Sequence, residues 1–174
     1  VDQTFEKCDD ILHRQVYLGQ GRQEGLLVYV EVAVSNLMLE EHVIGLSDVQ
    51  PLKSYEEGKA ALLAGNGLLF LDGDTNCYKI SSKGYPGLGV KKAENEKVIR
   101  GSQEAFTESE KINVALIRKR LRDSRMKVEE QTVGVRSHTM TALVYMEDLI
   151  YQGLLTTMKQ QLQRYEIDGI LDSG

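Results

Sequence analysis

The residues that most limit how this chain can fold are the fourteen from Gly84 to Lys97, GYPGLGVKKAENEK. Three glycines and a proline within six residues interrupt any helix or strand, and the run VKKAENEK after them has almost nothing apolar to bury. Such a segment does not cross a core, so the compact parts must lie on either side of it. Residues 1–83 and 98–174 of the 174-residue chain are then each long enough for a small domain. The expectation is a mixed α/β protein of two small subdomains, with 84–97 as the linker.

Hydrophobic periodicity fills in the first half. Phe5, Cys8, Ile11 and Leu12 recur at helical spacing, so Phe5 to His13 reads as the end of a helix, and RQVYLG then reads as a short strand. A glycine-rich turn through Gly19 and Gly21 leads to EGLLVYVEVAV, rich in β-branched and aromatic residues, which makes an antiparallel pair with that strand. SNLMLEEHVIGL, opened by Ser35, and SYEEGKAALLAG, opened by Ser54, both read as short capped amphipathic helices. GLLFLDG and CYKISS flank the turn formers DGDTN, as hairpin strands do.

In the second half, Thr107 and Glu110 stand in capping-box spacing before an apolar stripe of Ile112, Val114, Ala115, Leu116, Ile117 and Leu121, which predicts a helix to about Asp123. MKVEEQTVG and TMTALVYMEDL follow as a strand pair around Arg136 and Ser137. Leu155, Met158, Leu162 and Tyr165 mark another helix, and DGIL is the expected last strand. LVYVE at 27–31 and LVYME at 143–147 echo each other at the same place in the two halves, so a shared β-β-α module and a chance likeness are both open.

Composition excludes several functions. A net charge of -5 and a pI near 5.3 disfavour a nucleic-acid binder, whose phosphate contacts need a basic surface. Cys8 and Cys77 form neither a C-x-x-C nor a Cys/His ligand set, so no disulfide scaffold or zinc site is expected. No run reaches the roughly 18 to 20 apolar residues of a membrane span. A chain that starts at Val1 and stops in DGILDSG reads as an excised piece of a longer protein.

No catalytic constellation emerges. Asp72, Asp74 and Asn76 occupy the first, third and fifth positions of a calcium-loop pattern, but the sixth is Cys77 where glycine is needed and the twelfth is Lys83 where glutamate is needed, so a hairpin turn is expected and no metal. GYPGLG lacks the spacing of a nucleotide-binding loop, and His13, His42 and His138 are scattered. There is no G-x-S-x-G elbow, and no cofactor is implied. The run RKRLRDSRMK, Arg118 to Lys127, is the densest charge feature. Basic residues there offset a helix macrodipole, and without interleaved aromatics they read as a solvated helix end or a subunit contact before they read as a nucleic-acid or lipid surface.

The segment EKVIRGSQEAFTES, followed by INVALIRKR, carries a resemblance. It is similar to a family pattern E-K-V-[VI]-R-G-P-R-E-G-F-[TS]-E followed by N-x-A-L-[IV]-R-[RK]-R. The match includes Glu96 to Gly101, Glu104, Phe106, Thr107, Glu108, Asn113, Ala115, Leu116, Ile117, Arg118, Lys119 and Arg120. With DGDTNCYKI before it and DGILDSG after it, the chain from Leu68 on resembles the soluble N-terminal domain of the A subunit of GerA-type spore germinant receptors. Ser102, Gln103 and Ala105 stand where that pattern has Pro, Arg and Gly, which weakens an anion-binding role for the loop.

The resemblance implies a non-catalytic soluble domain on the core side of the spore inner membrane. It would contact other receptor subunits, lead to a downstream membrane domain, and couple or assemble the complex that triggers germination. A small-molecule module, with a sugar or amino-acid pocket between the subdomains, is the alternative. The motif residues Arg100, Gly101, Glu104, Phe106, Thr107, Asn113, Arg118 and Arg120 are the candidate contacts between subdomains or with partners. Within them Phe106 is expected to pin the helix start and Glu104 to pair with Arg118 or Arg120. A purely stabilising role for the same residues stays open.

Overall fold

The computed structural model describes residues 3–19, 23–33, 49–81, 106–164 and 168. The helix expected from Ser35, the linker 84–97 and, beyond Asp168, the strand DGIL lie outside them.

The first sheet is built from β1 (Ile11–Leu18), β2 (Gln23–Val30), β3 (Val49–Leu52), β4 (Gly67–Leu71) and β5 (Cys77–Ile80), in the order β1-β2-β4-β5-β3, with every neighbouring pair antiparallel. The β1–β2 and β4–β5 pairs are the two hairpins the sequence predicts. β2 explains its own unbroken apolar run: Val28 and Val30 pack on one face with Leu62, Leu63 and Leu68, while Leu27 and Tyr29 pack on the other with Leu69 and Ile80. A strand buried on both faces has no solvent side on which to alternate.

α1 (Tyr55–Leu63) covers the first of these faces. Ser54 caps it by accepting from the Glu57 amide, and Glu57 in turn accepts from the Lys53 amide. At its other end Gly65, at a φ of 87°, donates to the Leu62 carbonyl and Asn66 donates to that of Ala61, the paired bonds of a Schellman stop. β3 was not visible as a strand because Pro51 lies inside it. It survives by taking the sheet edge, pairing only β5, where a missing N–H is tolerated.

The second sheet is the antiparallel pair β6 (Met126–Val133) and β7 (Thr139–Met146), again as predicted. α2 (Glu110–Arg120) lies on one face, where Val114 and Ile117 meet Met126, Val128, Ala142, Val144 and Met146. α3 (Gln152–Gln163) lies toward the other, with Leu155 buried and Lys159 bonded to Glu129.

Three boundaries differ from the sequence reading. Ser109, not Thr107, caps α2, accepting from the Ile112 amide. The helix ends at Arg120 rather than Asp123. Residues 3–10 form turns rather than a helix end, and β1 begins at Ile11. The apolar spacing of Phe5, Cys8 and Ile11 instead reflects one wall of the first core, which all three enter.

Candidate functional site

The turn segment before β1 belongs to both sheets. Its side chains Phe5 and Cys8 pack among Val28, Val30 and Leu68 of the first and Leu62 of α1, while its backbone lines the open edge of β6. Val128 donates to the Lys7 carbonyl at 3.0 Å, and Asp9 donates to the Val128 carbonyl at 2.8 Å. The Asp9 carboxylate accepts from the Glu130 amide, and the Cys8 thiol donates to the Met126 carbonyl. Burial pushes the Cys8 thiol above its ordinary pKa, against the opposing pull of Arg118.

At the centre of this joint is an ion pair. Arg118, on the last turn of α2, is 0% exposed and presents Nε and Nη2 to the two Asp10 oxygens at 2.9 and 2.8 Å. Its Nη1 donates to the Met126 carbonyl at 3.1 Å. The bidentate fork and the carbonyl fix the guanidinium in one plane, the arrangement that makes Arg suited to buried pairing. Nearer the surface Lys111 bridges to both oxygens of Glu31, just after β2, and so ties α2 to the first sheet a second time. Lys127, also buried, donates to the Thr4 carbonyl and pairs with Glu147 at 3.3 Å. On the far face of β6, burial raises Glu129 but bonds from Lys159 and the Tyr145 hydroxyl outweigh it, leaving the carboxyl below its ordinary value.

The fold has a counterpart of known structure. The crystal structure of the N-terminal domain of the A subunit of the Bacillus megaterium spore germinant receptor GerK3 superposes with a TM-score of 0.75 at 19% identity, covering 99% of this chain and 72% of that one. The family model for the Bacillus/Clostridium GerA spore germination protein matches residues 36–174. This chain belongs to the GerA family.

Relatives of this GerA-family chain include the uncharacterized membrane protein YfkQ of Bacillus subtilis (strain 168), 28% identical across 97% of this chain and 37% of its own length. Spore germination protein KA of the same organism is 30% identical across 77% of this chain and 25% of its own. The GerA-family segment described here thus spans between 25% and 37% of the length of these relatives. Among its described residues no helix is long and apolar enough to cross a membrane.

The motif residues divide sharply. Arg100, Gly101 and Glu104 lie outside the described residues. Phe106 is 69% exposed. The helix start is held by Thr107 and Asn113: the Thr107 amide donates to Asn113 Oδ1 at 2.7 Å, and Asn113 Nδ2 donates back to the Thr107 carbonyl at 2.8 Å. Arg118 pairs with Asp10 and Arg120 is exposed at the end of α2, while Glu104, expected to pair with one of the two, lies outside the described residues. The joint thus unites Arg118 with residues the motif does not contain.

The other sequence expectations resolve locally. The basic run is not one surface: Arg118 and Lys127 are buried, while Arg125 pairs with Asp123 and Asp148. Arg125, through its side chain and then its amide, holds the Asp123 carboxyl down to about 2. A depressed carboxyl stabilises the fold above its unfolded value near 4, and that contribution is lost as pH falls through about 2. For an exposed pair, solvent screening limits it to under about 1 kcal/mol. Asp123→Asn is therefore expected to unfold slightly more easily than the parent at pH 7, with the difference shrinking as pH is lowered from about 4 through about 2, as read by urea midpoints. The DGDTN segment is the hairpin turn predicted, with the Asp74 carboxylate accepting from Asn76 and from the Tyr78 hydroxyl.

Proposed function

We propose that this chain is the non-catalytic soluble domain of a germinant receptor A-type subunit, and that it couples or assembles the membrane complex that triggers bacterial spore germination. The membrane part would follow downstream, as the length of the relatives allows, and the domain would lie on the core side of the spore inner membrane against other receptor subunits. Membership of the GerA family supports the setting. The observation that carries the coupling role is the joint, in which one short segment is both a core wall of the first sheet and the edge partner of β6. A displacement of either sheet must then move the other or break the buried pair.

The exposed bridge from Lys111 to Glu31 tests this without unfolding the protein, because a surface ion pair contributes only about 0–1 kcal/mol. In the full-length receptor, Lys111→Glu sets like charges across the joint and is expected to slow nutrient-triggered germination with receptor level unchanged. The swap Glu31→Lys with Lys111→Glu should restore it. Germination at the parental rate in the single variant, at parental receptor level, would sink the coupling role.

A further inference from the structure

A cleft of about 270 Å³ opens between α1 and the part of the first sheet formed by β3, β4 and β5. Leu52, Leu68, Phe70 and Phe5 supply its apolar walls, and Lys53 and Lys59 stand among its polar residues. Its twelve lining residues include no Asp or Glu. The neighbouring carboxylates are committed elsewhere: Glu57 accepts from the Lys53 amide, Glu56 pairs with Lys59, and Asp74 is held by Asn76 and Tyr78. The volume lies just under the roughly 300–1,000 Å³ of drug-sized sites, so the occupant is a smaller molecule.

The glycine in the wall gives a second, independent observation. Gly58 is a buried interior residue of α1, where alanine is the better helix former. A Cβ built there meets only Leu52 Cδ1 and Leu68 Cδ1, both at 3.9 Å, which is ordinary contact and no clash. Packing therefore does not demand glycine. Both of those leucines line the cleft, so a side chain at 58 would grow into the cleft and reduce its volume.

We propose that this cleft binds a small monocarboxylate with a compact, otherwise uncharged apolar body, of the size of benzoate or hexanoate. The apolar body sits between Leu52, Leu68 and Phe70. The carboxylate faces Lys53 at the N-terminal end of α1, where the helix dipole favours an anion. A free amino acid fits poorly, because its ammonium would meet Lys53 with no Asp or Glu among the lining residues to receive it. Since Phe5 of the joint segment forms one wall, an occupant would touch the element that spans both sheets.

Cys77 also lines the cleft and is half-buried, whereas Cys8 is buried in the joint, so thiol alkylation reports on the site. Iodoacetamide modification of Cys77 in the 174-residue chain is expected to slow saturably, by at least about fivefold, with benzoate or hexanoate. Lys53→Gln should raise the half-saturating concentration by about tenfold, the loss of one charge-assisted bond. Gly58→Leu should abolish protection, with circular dichroism checking that it folds, and Gly58→Ala should weaken protection while raising the melting temperature. Absence of saturable protection by either acid overturns the proposal. So does equal protection by hexan-1-ol, which would remove the anion, or by phenylalanine, which would change the class.

Discussion

Asp10→Ala is expected to lower the midpoint of thermal unfolding by about 6–20 °C, far more than any exposed charge in the chain. The variant leaves Arg118, at 0% exposure, with a full charge and no carboxylate to face it. Removing one partner of a buried pair costs about 3–5 kcal/mol, against a total stability of about 5–15 kcal/mol. In a chain of this size each kcal/mol shifts the midpoint by about 2–4 °C. Arg118→Met alone should also destabilise, because it strands Asp10, which is 2% exposed. The double replacement Asp10→Leu with Arg118→Met should recover most of the loss, since two apolar residues of suitable volume need no desolvated charge. Thermal scans of the three variants decide it. If the single variants melt within a degree or two of the parent, the pair is not the centre of the joint.

That pair also marks where sequence reading stops. Strands β1, β2, β4 to β7 and helix α1 were legible because each has its own local signal, whether an alternating or unbroken apolar run, a capping serine, or a glycine where the chain must turn. The helix α2 was legible for the same reason, and its cap was off by two residues only because Thr107 and Ser109 offer the same hydroxyl to the same kind of amide. Asp10 was not legible. It belongs to a segment whose helical spacing is produced by packing against a sheet, and its partner lies 108 residues away. No periodicity within a short window records a contact of that separation. Arg118 was singled out by resemblance, and the carboxylate expected beside it or Arg120 was Glu104 of the same motif. β3 was hidden by Pro51, whose usual meaning of a break holds everywhere except on an edge.

Two glycines of the first sheet and its helix are expected to respond to substitution in opposite directions. Gly25 lies in β2, paired with Val16 of β1 on one side and Leu71 of β4 on the other. A Cβ there would stand 2.9 Å from the Phe70 carbonyl oxygen and 3.2 Å from a methyl of Leu71. The first of these is backbone in a central ladder, so no change of rotamer relieves it, and the strands must separate. Gly25→Val is therefore expected to destabilise by about 1–3 kcal/mol or more, the usual cost of overpacking, despite valine's better strand propensity of at most about 1 kcal/mol. Gly58→Ala meets only contacts at 3.9 Å and gains about 0.5–1 kcal/mol of helix propensity. Urea unfolding of both variants reads the two signs directly, with the slope checked to be unchanged so that the midpoints report stability alone. A Gly25→Val variant as stable as the parent would mean that β2 and β4 are not held at the register in which Gly25 faces Leu71. A Gly58→Ala variant that loses stability would mean that the wall between Leu52 and Leu68 has no room for a methyl group, and the cleft beside it would be smaller than its walls define.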